Sequence, residues 1–213
     1  MISESNTSVK LAEYLLKIKA VKLQPNDAFK WSSGWNSPIY CDNRVTLSYP
    51  DIRSFIKQEM AKAIQLQFGE ATALCGVATA GIAIGGLVAE HLELPYAYCR
   101  PKPKEHGMKN QLEGRLDKEA KIVVVEDLIS TGGSSLKVVN YLRENGYNVL
   151  GMASIFTYGF DLARANFEEA NCPFLSLGNY NDLLLQAKNQ GLITEDQIPI
   201  LETWRQDPGN WKA

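Results

Sequence analysis

The chain is poor in the residues that most cheaply betray a function. Its 213 residues include four cysteines (Cys41, Cys75, Cys99 and Cys172) and two histidines, His91 and His106. No C-x-x-C pair is present and the histidines lack metal-ligand spacing, so neither a zinc module nor a disulfide scaffold is indicated. Scattered cysteines in apolar surroundings read as reduced, buried thiols of a reducing compartment. There is no excess of positive charge: 22 Lys+Arg against 24 Asp+Glu leave a net −2, which provides no global field toward nucleic acid or an anionic membrane. Long hydrophobic runs are missing too. The most apolar stretch, Gly81 to Val88, is too short to span a bilayer, and the first twenty residues carry Lys10, Glu13, Lys17 and Lys19 with no apolar signal core. The expectation is a cytoplasmic protein. Any polyanion it binds must be held by a local site.

Repeats, low-complexity tracts and Pro/Ser linkers are also lacking, which suggests one continuous domain over 1–213. Residues 1–47 are expected to form an N-terminal helix and a hood segment, and 48–213 an α/β core. Leu11, Ala12, Leu15, Leu16 and Ile18 recur at nearly helical spacing over 8–19. The stretch 28–45 is punctuated by Gly, Ser, Asn and Pro and reads as hairpin-like β structure and loop. A helix follows from about Pro50. Beyond it short apolar strands, at 72–77, 95–99, 121–125, 148–158 and 173–177, alternate with helices near 82–92, 134–145, 161–170 and 180–190. Thr194 and Gln197 have capping-box spacing before a last helix, with Ile193 and Ile198 placed for a hydrophobic staple. Such alternation predicts a doubly wound, mostly parallel sheet flanked by helices, with the ligand beyond the carboxyl ends of the strands.

The most informative segment is Lys121–Ser135, KIVVVEDLISTGGSS. An apolar strand runs into the adjacent carboxylates Glu126 and Asp127, then into Ser130, Thr131, Gly132, Gly133 and Ser134 at the start of a helix. Small residues and glycines let successive backbone N–H groups turn inward as an anion nest. The hydroxyls add donors for a phosphate monoester, and the carboxylates suit neighbouring sugar hydroxyls. The combination describes a ribose 5-phosphate pocket. It is not a Walker loop, since the lysine after the glycines, Lys137, lies inside the helix. The plain alternative is a capped strand–loop–helix connection with surface acids.

Three further segments carry weaker signals. Arg100–Gly114, RPKPKEHGMKNQLEG, is a long polar connection whose Arg100, Lys102, Lys104, His106 and Lys109 suit a multiply charged anion; a solvated loop is its alternative. Gly76–Gly81 offers small residues for close ligand approach at a helix N-terminus, or simply helix–sheet packing. Ser32-Ser33-Gly34 and Tyr40–Arg44 could read a flat heterocycle, or form an edge hairpin with its own salt bridge. His91 is expected to be a partly buried packing residue.

Through VVVEDLISTGGSS the sequence resembles the type I phosphoribosyltransferases at their phosphoribosyl pyrophosphate (PRPP) motif. Through FKWSSGWNSPIYCDNR, GVATAGIA and RPKPKEHGMKNQLEG it resembles their orotate branch over nearly the whole chain. The resemblance implies transfer of the 5-phosphoribosyl group from PRPP to orotate, giving orotidine 5′-monophosphate and pyrophosphate in pyrimidine (UMP) biosynthesis. It implies that Glu126, Asp127, Leu128, Ile129, Ser130, Thr131, Gly132, Gly133 and Ser134 cradle the ribose 5-phosphate, with Ser130 also touching orotate. Arg100, Lys104 and His106 would contact pyrophosphate, with Lys104, His106 and Asp127 acting in catalysis. The implied cofactor is Mg²⁺ held mainly through PRPP, with no metal ligand assigned to the protein. The implied assembly is a homodimer sharing the 100–114 loop across its interface. The pattern departs at Ser32, Ala80 and Pro101, where other members carry lysine. By type, Arg44 is the cation suited to the orotate carboxylate. Two other readings stay open: a phosphoribosyltransferase for another nucleobase, and a PRPP-sensing regulator without turnover.

Overall fold

The computed structural model describes residues 5–31, 33–102 and 110–212. In chain order its elements are α1 (Ser5–Lys17), β1 (Val21–Leu23), β2 (Phe29–Lys30), β3 (Asn36–Ser37), β4 (Ile39–Cys41), a 3₁₀ segment (Asn43–Ser48) and α2 (Pro50–Gln67). Then come β5 (Ala73–Val77), α3 (Gly81–Leu92), β6 (Tyr96–Cys99), β7 (Leu112–Glu113), β8 (Lys121–Ile129), α4 (Gly133–Glu144), β9 (Asn148–Thr157) and α5 (Asp161–Glu169). The chain closes with β10 (Phe174–Asn179), α6 (Tyr180–Asn189), a 3₁₀ turn (Glu195–Gln197) and α7 (Ile198–Gln206).

Six strands form one sheet in the order β10-β9-β8-β5-β6-β7, parallel throughout except for the edge strand β7, which runs antiparallel to β6. The central strand β8 is buried on both faces from Ile122 to Glu126, as a parallel strand covered by helices on each side should be. Successive crossovers run outward in opposite directions from the β5/β8 pair. That pair is therefore the topological switch point, and a crevice opens beyond its carboxyl ends. Pro50 starts α2 in its first turn, and Ile52, Ile56, Met60, Ala61 and Ile64 form the stripe that α2 buries. The capping box of Thr194 and Gln197 is present before α7.

The sheet and the long helices follow the expected pattern, and the differences are local. β8 continues four residues past Val125, so the two carboxylates lie within the strand; β9 pairs with it as far as Ile129↔Thr157 and holds it extended. The polar 100–114 connection contributes β7, because the Arg100 N–H donates to the Gln111 carbonyl and the Gln111 side chain donates to the Arg100 carbonyl at 2.7 Å. The N-terminal segment is two short ribbons: β2 with β3 is the local hairpin, while β4 pairs back to β1, a strand with no turn signal of its own. His91 is exposed on the last turn of α3 and does not pack in the interior; it follows the buried pair Val88 and Ala89 but projects to the solvent face. All four cysteines are free, with Cys75, Cys99 and Cys172 buried and Cys41 half-buried.

An aromatic cluster fastens the hood to the carboxyl end of the sheet. Tyr158, just past β9, packs against Trp31 of the hood (5.2 Å between ring centroids) and Trp204 of α7 (5.6 Å). The indole of Trp204 donates to the carbonyl of Asn36 at 3.3 Å, and that of Trp31 to the carbonyl of Ile39 at 3.1 Å.

Candidate active site

The turn from β8 into α4 is fixed by its own residues and by the adjacent β9 and α5. Gly132 precedes the helix at φ +80°, and a β-carbon there would lie 2.6 Å from the Phe167 ring, so both conformation and space demand glycine. From α5 the Asn166 amide donates to the carbonyl of Thr131 at 2.9 Å, which pins the turn. Gly133 and Ser134 are exposed at the helix start, where backbone N–H groups have no intrahelical acceptor and the dipole favours an anion. Ser130 and Thr131 are half-buried beside them. The Ile129 side chain is fully buried, and its carbonyl accepts from the Thr157 hydroxyl and the Tyr158 N–H, each at 3.2 Å.

The two carboxylates differ sharply although they are adjacent, because successive side chains of a strand point to opposite faces. Glu126 is buried at 5% exposure; its oxygens accept from the Ser135 hydroxyl (2.8 Å) and the Asp127 N–H (3.0 Å). Burial, followed by the neighbouring Asp127, raises its pKa well above the usual carboxylate range. Asp127 is half-buried toward the crevice side of the hood, and burial raises its pKa too, against the opposing pull of its hydrogen bonds and Arg44. Side by side at the end of the strand, the two carboxyl groups offer acceptors suited to hydroxyl groups.

The hood reaches this end of β8 through Asn43. Its buried amide donates to the Asp127 carbonyl at 2.8 Å. Arg44 forms a two-point pair with Asp42 (2.6 and 2.8 Å), so the salt bridge foreseen as the plain alternative exists, and it holds the Asp42 carboxyl below its usual range. Cys41 sits between Asn43 and the β8 end, its thiol pushed up by burial and then by Asp127.

On the other side of β8 lies the β5–α3 turn. Gly81 abuts β8 so closely that a β-carbon would meet the Val125 carbonyl at 2.5 Å, which brings the start of α3 alongside Glu126. Gly76 and Gly85 pack on Tyr96, whose hydroxyl donates to the carbonyl of Ile82 at 2.6 Å. The small residues of this segment therefore serve helix–sheet packing, while Thr79 and Ala80 remain at the rim. Arg100 follows β6, its guanidinium 3.6 Å from Glu113 and lying over the Tyr98 ring. Tyr141 of α4 holds the returning stem, donating to Asn110 at 2.8 Å. Lys104, His106 and Lys109, like Ser32, lie outside the described residues.

Sequence reasoning passed over several residues that shape the site. Asn43 lies in the Tyr40–Arg44 run expected to read a flat heterocycle, but its tie to the Asp127 carbonyl, 84 residues away, had no sequence signal. Ser135 had a signal, since it lies one position beyond the expected nest. Asn166 and Tyr158 had none.

A model of the phosphoribosyl transferase domain matches residues 48–173. The chain is 50% identical to the orotate phosphoribosyltransferase of Cytophaga hutchinsonii over 207 residues, covering 97% of this chain and 99% of that protein. It is 52% identical to that of Phocaeicola vulgatus over 202 residues, or 95% of each. Among solved structures it resembles orotate phosphoribosyltransferase from Aeropyrum pernix, with TM-score 0.73 and 28% identity over 86% of this chain and 99% of that one. It also resembles the UMP synthase of Leishmania donovani, with TM-score 0.78 and 26% identity over 96% of this chain. It spans 42% of that longer protein.

Proposed function

This chain belongs to the phosphoribosyl transferase family in its orotate branch, and we propose that it transfers the 5-phosphoribosyl group of PRPP to orotate, yielding orotidine 5′-monophosphate and pyrophosphate. The observation that carries the reading is the β8–α4 turn at the switch point: an anion nest at Gly132–Ser134 directly beside two hydroxyl-seeking acids. The reaction makes pyrimidine nucleotide, and the chain contains no helix long and apolar enough to cross a membrane among the described residues. A cytoplasmic setting and a homodimer sharing its 100–114 loop accompany the proposal.

The sheet order supports one placement of such a substrate. The 5′-phosphate takes the nest, and the ribose hydroxyls meet Asp127 and Glu126. Pyrophosphate then falls on the β5–β6 side, toward Thr79, Ala80 and Arg100, with Lys104 and His106 joining from the loop. The base enters from the opposite, hood side. A ring nitrogen of orotate forms its bond to C1′ as the C1′–oxygen bond breaks, and the electron pair leaves with pyrophosphate. Positive charge grows on the ribose, which a negative Asp127 nearby favours, and negative charge grows on the leaving group, which loop cations neutralise. Hydrogen bonds to charged groups are worth roughly 1.5–3 kcal/mol each.

No three His, Cys, Asp or Glu side chains converge as a cage for a metal among the described residues. Asp127, the half-buried carboxylate at this end of β8, is the residue that would meet a Mg²⁺ carried on PRPP. When bound, the ion would act as a Lewis acid on the leaving group.

The test is an ultraviolet assay of the purified protein with PRPP and Mg²⁺, offering orotate, uracil, hypoxanthine and adenine separately. Loss of orotate absorbance that requires both PRPP and metal is the expected result. Turnover of another base would overturn the choice of orotate. PRPP binding with no turnover of any base would make the protein a sensor.

A further inference from the structure

The two legs of the 100–114 connection meet at its base. The Arg100 N–H donates to the Gln111 carbonyl at 2.9 Å, and the Gln111 side-chain amide donates to the Arg100 carbonyl at 2.7 Å. β7, only two residues long, continues the pairing through Leu112↔Cys99 and Glu113↔Tyr98. So short an edge ladder holds weakly by itself, and α4 reinforces it. The Tyr141 hydroxyl donates to the Asn110 side-chain oxygen at 2.8 Å and accepts from the Gln111 N–H at 3.3 Å. The Asn110 amide in turn donates to the Leu112 carbonyl at 2.8 Å. One phenol thus bonds two consecutive residues of the returning leg, which fixes its direction as well as its distance.

The helix behind that phenol is firmly seated, because Val138, Val139 and Leu142 of α4 are fully buried. The same helix opens at the Gly132–Ser134 nest, about two turns before Tyr141. α4 therefore reaches both ends of the proposed PRPP site: the 5′-phosphate through its N-terminus, and the pyrophosphate side through the leg that pairs with Arg100. The Arg100 side chain is held more loosely. Its guanidinium lies 5.7 Å from the Tyr98 ring centroid, its buried Nε is 3.6 Å from Glu113, and that nitrogen has no hydrogen-bond partner among the described residues. Its backbone is set by Gln111, and Gln111 is set from α4 by Tyr141. Ordering the leg in advance removes an entropy cost that binding would otherwise meet.

We propose that Tyr141 is a positioning residue for the pyrophosphate end of PRPP: it fixes the returning leg, and through it Arg100, at a set distance from the phosphate nest. This role rests on the reading of the chain as a PRPP-dependent transferase. The test is Tyr141→Phe in the full chain with Mg²⁺ present, which keeps the ring and deletes both bonds. Ribose 5-phosphate and PRPP differ only in the pyrophosphate. Calorimetry should find ribose 5-phosphate affinity within about twofold of the native protein and PRPP affinity about fivefold weaker, the scale of one net hydrogen bond. kcat/KM for PRPP should fall at least as far, with KM for orotate unchanged. Asn110→Ala should act in the same direction, and adding it to Tyr141→Phe should change nothing further, since both cut the same tie. Unchanged PRPP affinity and kcat/KM, whatever the melting temperature does, would overturn the proposal. Equal weakening of both ligands would overturn it too, because the nest itself would then be disturbed. Native protein that binds PRPP yet turns over no base would refute the transferase reading alone, and the split between the two ligands would still decide the role of Tyr141. Native protein that binds no PRPP would remove both.

Discussion

The β8–α4 turn and the hood meet at the same end of the sheet, yet they are held in opposite ways. In the turn, the fixing contacts are within ten residues or come from the adjacent β9 and α5: Ser135 to Glu126, the Asp127 N–H to Glu126, Thr157 to Ile129, Asn166 to Thr131. In the hood the decisive contacts span the chain, from Asn43 to Asp127 and from Trp204 to Asn36. The phosphate grip is thus self-organised, while the base cover is borrowed from distant elements. Damage to the first should cost folding and PRPP together. Damage to the second should mainly cost the base.

The largest expected effect comes from Gly132→Val. A β-branched residue at φ +80° with its β-carbon driven into Phe167 combines two penalties of about 1–3 kcal/mol each. Thermal melts should show a clear loss of stability, and calorimetry should find PRPP binding gone; a variant that melts like the native protein would break the account of the turn. Asp127→Asn follows. It keeps the shape but removes charge beside the ribose, and kcat should fall about 10²-fold, as when one preorganised electrostatic contact is lost. Equal PRPP affinity and turnover would displace the sugar from this carboxylate.

Asn43→Ala sharpens the contrast from the hood side. It deletes a buried tie to the Asp127 carbonyl and should cost ~1–2 kcal/mol. Steady-state kinetics should show KM for orotate rising severalfold with PRPP affinity nearly intact. A loss shared equally by both substrates would mean that the hood and the turn are one mechanical unit.

The same division explains what was legible in the sequence. β8, the acids, the hydroxyls and the glycines sit in one run of fifteen residues, so the nest is readable from local sequence alone. The extent of β8 is not, because Glu126 to Ile129 are extended only through pairing with β9. The opposite fates of Glu126 and Asp127 follow from strand alternation once that extension is known. β1 has three residues and no turn signal; only its partner β4, some twenty positions later, makes it a strand. Tyr158 is an ordinary aromatic in sequence, and its burial depends on rings converging on it from β9, the hood and α7. Local chemistry was readable, and chemistry assembled by tertiary contact was not.

The smallest effect concerns charge alone, and it should run in opposite directions in the two regions. In the hood, Arg44 holds Asp42 below its ordinary value of 3.8, so that pair stabilises above this value and the contribution fades as pH falls through the lowered one. Arg44 is largely exposed and Asp42 partly so, so the contribution is slight. At β8, burial and then the neighbouring Asp127 raise Glu126 above its ordinary 4.5, and burial raises Asp127 above 3.8 against the lowering pull of its bond to Glu126. The folded protein then binds protons that the unfolded chain releases, so this pair favours folding most below the ordinary values and loses that contribution as pH climbs through the raised ones. Glu126→Gln removes the titration while keeping both bonds, because the amide oxygen can accept from the Asp127 N–H and the amide nitrogen can donate to the Ser135 oxygen. Melting temperatures measured from about pH 4.5 to 9 without PRPP should diverge, the variant gaining on the native protein as pH rises. Parallel curves would mean that Glu126 does not titrate in this range, and the acid pair would then have to meet the ribose in a fixed charge state.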